Sequence, residues 1–406
     1  MITRDERQKE CLRRWLRNNG HGTIVGCTGF GKTRIGLNLA DAFVKRNNDS
    51  SILVVVPTQF LKDQWIDQLE ERGLLNNTRV EIVNSVIKLN WTCDLLILDE
   101  VHLFASETFK QTFECVNYKN ILCLTGTLER LDGKEIIIKK YAPVCDEIPL
   151  DVAIENKWVA PVKEYLVLID VDLTTYNELS KVFNQCFAYF DFKFNVAMDC
   201  STDVVKCRKY AKHLGVDYHT VMGIAQKWNR AMRARKEFIQ KHPKKFEIAK
   251  KILEARKDKK CITFSSTIKQ AESFGSGYVL HSKKSDKENK KTLEAFNNAK
   301  TGVLHSSKAV NQGVDVPGLS VGIILSVDSS KITKQQRKGR ICRFEEGKEA
   351  ELFTIVLRGT QEYNWAMNSA TSKYITIDET QLDKVLSGES IETRERSIIT
   401  NTNYRF

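Results

Sequence analysis

Short segments that are almost continuously apolar recur along the 406-residue chain and alternate with segments whose apolar residues have helical spacing. Runs of Val, Ile and Leu without polar alternation predict strands buried on both faces, and the helices between them supply the connections that parallel strands need. The segments fall into two groups, so the sequence predicts an α/β fold with two tandem parallel-sheet domains. The first group is "GTIVG", "SSILVVVPT", "CDLLILDE" and "KNILCLTGT", and the second is "KKCITFSST", "TGVLHSS", "SVGIILS" and "AELFTIVLR".

The position of these groups predicts the domain boundaries. We expect the first domain to occupy residues 1–157 and the second residues 158–375. Between about 174 and 245 the sequence is helical, mixes polar with aromatic residues and has no strand signal, which predicts a helical insertion. The polar residues 376–406 are predicted to form a C-terminal tail with at most a short helix.

Composition restricts the class of partner. The net charge of +12, from 63 Lys and Arg against 51 Asp and Glu, favours a polyanion such as nucleic acid. No apolar run approaches the roughly 18 residues of a membrane helix. The 11 Cys include no C-x-x-C pair, which argues against a zinc or iron–sulfur site and for reduced thiols. Reduced thiols favour the cytoplasm, or the host cytoplasm if a phage encodes the chain. We also expect a monomeric protein.

The segment "GCTGFGKT" follows the first predicted strand and precedes a good helix. The pattern G-x-x-x-x-G-K-T is a phosphate-binding loop, in which glycines let backbone N–H groups point at phosphate oxygens. Lys32 is expected to reach the β- and γ-phosphates, and the Thr33 hydroxyl to bind Mg²⁺. The predicted nucleotide-binding residues of this segment are Gly26, Thr28, Gly29, Gly31, Lys32, Thr33 and Arg34.

The segment "LILDEVH" places two carboxylates directly after a buried strand. Carboxylates there are costly unless they bind or react, so Asp99 is predicted to hold Mg²⁺ and Glu100 to polarise the attacking water. His102 is predicted to sense the nucleotide rather than to take part in the reaction.

Seven sequence segments, which occur in a fixed order between residues 4 and 360, together resemble the motif series of superfamily 2 helicases. Two of them, "PTQFLKDQW" and "LTGTLERLDG", most resemble the branch of phage UvsW-type branch-migration helicases and related repair and transcription translocases. Phe30 and Gly126 depart from the family, which usually has a small residue and Ala at these places. The seven segments are "GCTGFGKT", "VVVPTQFLKDQW", "ILDEVH", "LTGTLERLDG", "ITFSST", "SSKAVNQGVDVPG" and "QQRKGRICR".

The resemblance implies two RecA-like domains with ATP and Mg²⁺ in the cleft and nucleic acid across both domains. It implies that Arg340 and Arg343 are arginine fingers that reach the γ-phosphate from the second domain. Helical spacing places them on one face with Gln336, and Gly339 is a poor helix residue that suggests a close approach. Further residues are implied at the nucleotide or the interdomain network, namely Arg4, Gln8, Gly313, Asp315 and Gln336.

Two further groups of residues follow from the motif series. Thr125, Gly126 and Thr127 are expected to couple the ATP cycle to the nucleic-acid surface. Polar residues after strand ends are expected to grip phosphates without reading bases, although a Ser or Thr there is as often a helix cap. This second group comprises Pro57, Thr58, Asn84, Ser85, Ser265, Ser307 and Lys308.

The predicted function is an ATP-dependent helicase or translocase acting on branched or forked DNA. Two alternatives stay open: an RNA helicase of the same superfamily, and an ATP-switched nucleic-acid-binding subunit of a restriction or defence complex. Arg4 and Gln8 could instead belong to an ordinary surface helix. The lysine-rich residues 241–260 form either a basic footprint or a solvated helix face. Aromatic residues of the insertion form either its core or a strand-separating wedge, and these are Phe187, Tyr189, Phe190 and Phe192.

Overall fold

The computed structural model describes residues 2–106, 108–128, 133–307, 316–327, 331–343, 345, 347–368, 374–389 and 391. Three predicted site residues, Lys308, Gly313 and Asp315, lie outside this part of the chain. The described residues form two parallel sheets, each covered by helices, which confirms the predicted α/β fold.

The first sheet has six parallel strands in the order β3-β2-β4-β5-β1-β6. Its central strands are the predicted apolar runs. The edge strands β3 and β6 carry charged residues, and their polar sequences gave no strand signal. The strands are β1 His21–Gly26, β2 Ile52–Val56, β3 Thr78–Ile82, β4 Trp91–Asp99, β5 Val116–Thr125 and β6 Val144–Ile148.

Seven helices belong to this first half of the chain. Helix α1 begins with a capping box, in which the Thr3 side chain accepts from the Glu6 backbone and the Glu6 carboxylate accepts from the Thr3 N–H at 2.6 Å. The helices are α1 Arg4–Arg17, α2 Lys32–Arg46, α3 Gln59–Glu70, α4 Val83–Val86, α5 Thr112–Cys115, α6 Glu135–Tyr141 and α7 Leu150–Glu155, with 3₁₀ turns at Val101–Ala105 and Phe109–Gln111.

The second sheet has seven parallel strands in the order β13-β7-β12-β11-β8-β10-β9. Strand β12 lies near its centre, and all eight of its residues are buried. The strands are β7 Val162–Ile169, β8 Lys260–Phe264, β9 Tyr278–Leu280, β10 Gly302–Ser306, β11 Leu319–Ile324, β12 Ala350–Leu357 and β13 Ile375–Ile377.

Helices α12 to α17 belong to the second sheet. The segment predicted as a tail from residue 376 begins inside β13, which pairs with β7, and continues into α17, whose Leu382 is buried against the sheet. The helices are α12 Pro243–Ala255, α13 Ile268–Glu272, α14 Asp286–Asn298, α15 Lys331–Ile341, α16 Gln361–Asn368 and α17 Glu379–Ser387.

Four helices between β7 and α12 form the insertion. They enclose a core of their own, with Phe187, Phe190 and Trp228 buried among small residues and cysteines. The base of the insertion is attached to the second sheet domain, because the Tyr176 hydroxyl accepts from the Gln361 backbone at 2.9 Å. The helices are α8 Thr174–Ala188, α9 Phe194–Thr202, α10 Val204–Leu214 and α11 Tyr218–Lys241.

The state of the cysteines and the apolar character of the helices were also considered in the sequence. All 11 cysteines are unpaired, and all but Cys115 and Cys145 are buried. Among the helices of the described ranges, none combines the length and the apolar character needed to cross a membrane.

Candidate nucleotide site and interdomain cleft

The loop between β1 and α2 has the backbone conformation of a phosphate cradle. Gly29 and Gly31 have φ values of +89° and +96°, which L side chains rarely adopt. The Lys32 ammonium donates to the Gly26 carbonyl at 3.1 Å, and Thr33 lies in the first turn of α2. A left-handed glycine turn at a helix N-terminus, followed by a Lys and a hydroxyl, fits the phosphates and Mg²⁺ of a nucleoside triphosphate.

Gln8 of α1 reaches this loop from the side. Its Nε2 donates to the Phe30 carbonyl at 2.7 Å, and a Cβ on Gly31 would lie 2.5 Å from the same nitrogen. Its Oε1 is buried and has no hydrogen-bond partner within the described structure. A buried acceptor without a donor is costly, so this oxygen is available to a hydrogen-bond donor of a bound ligand.

Phe30, the bulky residue of the loop, is completely buried and packs edge-on against Trp158 at 5.8 Å between ring centroids. Trp158 in turn donates its Nε1–H to the Ile2 carbonyl at 3.0 Å. The Phe30 side chain, which departs from the family pattern, therefore anchors the loop to the segment that joins the two sheets.

The carboxyl end of β4 carries the acidic pair. The buried Asp99 accepts a hydrogen bond from Nε1 of Trp65 on α3 at 2.9 Å and from the Glu100 N–H at 2.9 Å. Glu100 has a φ of +51°, a strained conformation for a side-chain-bearing residue, and such strain is concentrated at functional sites. His102 lies beside it, with Nδ1 at 3.4 Å from Glu100 Oε2.

The environment moves the pKa values of the two carboxyls in opposite directions. Burial raises the pKa of Asp99, and the charge of Glu100 raises it further. Burial opposes ionisation of Glu100 as well, but the hydrogen bond with His102 and the charge of Lys32 outweigh it and lower its pKa. The lowered pKa keeps Glu100 ionised well below neutral pH, which suits a group that polarises water.

The second domain contacts the phosphate loop through α15. A Cβ added to Gly339 would lie 1.9 Å from Cβ of Thr28, and one added to Gly29 would lie 3.5 Å from the Gly339 carbonyl. The Cys342 carbonyl, just after α15, accepts from the Ala160 N–H at 2.9 Å. The predicted close approach at Gly339 is therefore an interdomain contact with the nucleotide-binding loop.

Arg340 is buried on the same segment, and its positive charge helps to lower the pKa of Glu100. Burial lowers the pKa of Arg340 itself to about 10, against the opposing effect of the Glu100 charge. The half-buried Arg343 was predicted on the helix face with Gln336 and Arg340, and this is wrong, because α15 ends at Ile341. The chain leaves the helix there, and the Cys342 carbonyl bonds to Ala160 instead of continuing the helix.

Two predicted nucleotide-binding residues occupy the edge of the site. The exposed Arg34 forms an ion pair with Asp5 at 3.1 Å. Burial, together with the neighbouring charge of Arg34, lowers the pKa of Arg4.

The three residues predicted to couple the domains follow β5. The Thr125 hydroxyl lies 3.1 Å from His102 Nδ1 and donates to the Thr127 carbonyl at 2.7 Å. A Cβ on Gly126 would lie 3.6 Å from Lys32 Nζ and 3.4 Å from the Thr28 hydroxyl. The segment therefore connects the acidic pair with the phosphate loop.

The residues predicted to contact nucleic acid lie in different environments. Asn84 and Ser85 are exposed on α4, and Pro57 is half-buried. Thr58 caps α3 by accepting from the Leu61 N–H at 3.3 Å, the alternative that the sequence left open. Ser265 and Ser307 are 1% and 3% exposed, so neither side chain presents itself to a ligand in this conformation.

Sequence reasoning missed Trp65, which fixes Asp99. The only signal was an aromatic residue at a core position of a predicted helix, where burial alone explains it. The lysine-rich residues 241–260 are not all exposed, although both alternatives from the sequence had assumed this. Lys245 is completely buried in an ion pair with Glu362 at 2.6 Å.

Comparisons with known proteins agree with this geometry. Residues 244–345 match the model of the Helicase conserved C-terminal domain, and residues 2–90 match that of the Type III restriction enzyme, res subunit. The chain is 26% identical over 382 residues to the DNA 3'-5' translocase XPB2 of Sulfurisphaera tokodaii, covering 88% of this chain and 82% of the relative.

Two solved structures share the fold. One is S. cerevisiae Dbp5 bound to RNA and ADP BeF3, with a TM-score of 0.61 and 13% identity over 94% of this chain and 91% of that one. The other is the Hef helicase domain of Pyrococcus furiosus, with a TM-score of 0.54 and 15% identity over 91% of this chain and 100% of that one.

Fold and site define a P-loop enzyme built from two RecA-like domains that face each other across a cleft. Together with the two matched domain models, they indicate an ATP-hydrolysing enzyme with domains similar to those of helicases.

Proposed function

We propose that this protein is an ATP-dependent DNA helicase or translocase that remodels branched or forked DNA. The observation that carries the proposal is the pairing across the cleft, where Gly339 lies on Thr28 and the Arg340 charge acts on Glu100. Residues of both domains complete one site, so the chemistry at that site and the relative position of the domains depend on each other.

Each residue has a role in this proposal. The phosphate loop with Lys32 and Thr33 binds the triphosphate, and Asp99 holds the Mg²⁺, which neutralises phosphate charge when bound. Glu100 orients the attacking water, and Arg340 and Arg343 stabilise negative charge at the γ-phosphate. Arginine fingers of this kind are worth about 10³–10⁵ in rate.

Release of phosphate removes the negative charge that holds Arg340 against the first domain. The domains then part, and His102 and Thr125 transmit the change from Glu100 to the segment after β5. The proposed track consists of phosphate contacts at exposed residues such as Asn84 and Ser85. Such contacts read no bases, so binding is expected to be independent of sequence and strongly dependent on salt.

DNA is the proposed polymer because the relative that aligns over 88% of this chain is named a DNA translocase. The charge of the insertion supports a polyanion as well. Residues 174–241 contain 12 Lys and Arg against 6 Asp and Glu, which is half of the chain's net positive charge. The branched substrate rests on the resemblance of "PTQFLKDQW" and "LERLDG" to branch-migration helicases.

A mobile four-way DNA junction with one labelled strand tests the proposal. We expect ATP-dependent conversion of the junction to duplex products, absent with Glu100→Gln and with Lys32→Ala. Glu70→Gln, an exposed position on α3, is the matched control and should retain full activity. Conversion of an RNA duplex but not of the junction would contradict the DNA assignment. ATP-dependent binding without strand exchange would favour an affinity switch instead.

A further inference from the structure

The turn between α8 and α9 presents two phenylalanines to solvent. Phe192 and Phe194 are 49% and 50% exposed, whereas Phe187 and Phe190 of the same segment are buried in the insertion core. The two rings lie at one turn and together form an aromatic surface that is available to a partner.

The backbone of this turn is strained and nevertheless well fixed. Asp191 and Phe192 are consecutive residues with φ values of +50° and +57°, a conformation that normally requires glycine. The Phe192 N–H donates to the Phe187 carbonyl at 3.2 Å and the Asp191 N–H to the Ala188 carbonyl at 3.0 Å, as in a Schellman helix end. These bonds hold the turn in one conformation.

The two exposed rings are supported from behind. Phe192 packs edge-on against Phe187 at 5.5 Å, and Phe194 packs edge-on against Trp228 at 5.4 Å between ring centroids. Edge-on contacts with the core leave a face of each ring available for stacking. A rigid aromatic surface stacks on another planar group at a small cost in conformational entropy.

Helix α10 packs near the turn and is basic. Its Tyr210 lies 5.9 Å from Phe190, and the same helix carries the exposed Lys209 and Lys212. In the turn itself, Lys193 forms an ion pair with Asp191 at 3.4 Å. Lys227 is exposed next to Trp228 on α11. Within the described ranges, no ion pair is found for Lys209, Lys212 and Lys227. Exposed aromatic rings on a basic helical unit are a combination that binds single-stranded nucleic acid, through stacking on bases and attraction to phosphates.

We infer that Phe192 and Phe194 form an aromatic wedge that stacks on the first unpaired bases at a duplex fork. This inference rests on the proposed function and adds the element that separates or holds the strands. The insertion is attached to the second sheet domain through Tyr176, so movement of that domain carries the wedge against the fork at each ATP cycle.

The test compares fork binding by fluorescence anisotropy, using a labelled forked DNA and the same fork with abasic sites at its first unpaired positions. The variant F192S/F194L removes one ring and replaces the other by an aliphatic side chain that still covers Trp228. We expect the variant to bind the intact fork about tenfold more weakly than the wild type, within the range of base–aromatic stacking. Abasic sites should weaken the wild type similarly and the variant hardly at all.

Two controls accompany the measurement. Val205→Ser removes another apolar side chain of the insertion, 77% exposed, and should leave fork binding unchanged. If the double variant does not fold, F192S alone replaces it in the measurement. Phe192 is only half-buried, so its loss should not unfold the insertion. Equal losses from abasic sites in wild type and variant would overturn the wedge. So would unchanged fork binding with loss of self-association in sedimentation velocity, which would make the patch a protein contact.

Measuring ATP hydrolysis with single-stranded DNA distinguishes a failure of the wedge from a failure of the proposed function on which it rests. If the wild type shows no stimulation, the proposed translocase fails. If it is stimulated and the variant binds forks normally, only the wedge fails.

Discussion

Gly339 and Thr28 lie so close together across the interdomain cleft that a methyl group on Gly339 would fall 1.9 Å from Cβ of Thr28. The first residue belongs to the helix that carries Arg340, and the second to the proposed phosphate-binding loop. Their contact joins the two domains at the proposed reaction site, and it explains a glycine inside a helix, where this residue costs about 1 kcal/mol.

Gly339→Ala should therefore prevent closure of the cleft. We expect at least a 100-fold loss of nucleic-acid-stimulated ATP hydrolysis, with nucleotide binding to the first domain retained. The matched control is Gly223→Ala in α11, where a Cβ meets no atom within 4 Å. Steady-state hydrolysis and binding of a fluorescent nucleotide measure the two effects. Normal turnover by Gly339→Ala would show that the close contact is not needed.

Trp65→Phe should move the pH dependence of hydrolysis. The indole N–H bonds to the ionised form of Asp99, and its loss raises the pKa of a carboxyl that burial already raises. Hydrogen bonds to charged groups contribute about 1.5–3 kcal/mol, so the acidic limb of the rate profile should move upward by about one pH unit. Trp15→Phe, which removes an indole bond to the Ile121 carbonyl, should leave the limb in place.

Thr125→Val should weaken the coupling between nucleic acid and hydrolysis. The hydroxyl contacts His102, which in turn lies beside Glu100. We expect basal hydrolysis to fall by less than threefold and stimulation by DNA to fall by about tenfold, the ordinary scale of a lost coupling free energy. Thr23→Val on β1, which removes a buried hydroxyl that donates to the Ala142 carbonyl at 2.6 Å, is the control. Equal losses with and without DNA would contradict a coupling role.

The second domain should lose stability in mild acid through His305. Burial lowers the pKa of this residue to about 4, while the unfolded chain has an ordinary histidine pKa near 6.5. Between these values the unfolded state binds the proton and the folded state does not, so stability falls as pH decreases from about 6.5 to 4. The contribution is about 3 kcal/mol at the acidic end.

Urea unfolding at pH 7.5 and pH 5 measures this dependence. In His305→Leu/Thr263→Val, which removes the histidine together with the hydroxyl at 2.8 Å from its Nδ1, the loss of stability on acidification should be smaller than in the wild type. His21→Gln at the start of β1 should behave like the wild type. An unchanged loss in the double variant would show that other groups cause it.

The buried pair of Lys245 and Glu362 should be needed as a pair. Lys245 also donates to the Leu325 carbonyl at 2.9 Å, and Glu362 accepts from the Val327 N–H at 2.9 Å, just before α15. Lys245→Met leaves a buried carboxylate uncompensated and should cost about 3–5 kcal/mol of unfolding free energy. Lys245→Met/Glu362→Gln should recover part of it, and Lys250→Met, exposed on the same helix, should cost little. A double variant as unstable as the single one would contradict this account.

The sequence allowed prediction of the central strands and the phosphate loop, because both depend on local patterns. "ILVVV" is buried on two faces wherever it lies, and only glycine supplies the left-handed turn at Gly31. Edge strands such as β3 and β6 were not predicted, because their polar sequences become strands only through pairing with a neighbouring strand. The bond from Trp65 to Asp99 joins residues 34 positions apart and has no local signature.

Helix periodicity gave a wrong prediction for the position of Arg343. Its spacing from Arg340 fits one helix face, but tertiary contact with Ala160 ends the helix before it. Ser265 and Ser307 show a similar limit, since a polar residue after a strand is compatible with exposure and with burial. Only packing against neighbouring strands decided that both are buried.

The most direct test of the central claim is ATP hydrolysis at moderate salt with no polymer, single-stranded DNA, duplex DNA, a four-way junction and RNA in parallel. A motor that remodels branched DNA should hydrolyse slowly alone, several-fold faster with DNA and fastest with the junction, and Glu100→Gln should abolish every one of these rates. Hydrolysis that no polymer stimulates, or that RNA alone stimulates, would contradict the account.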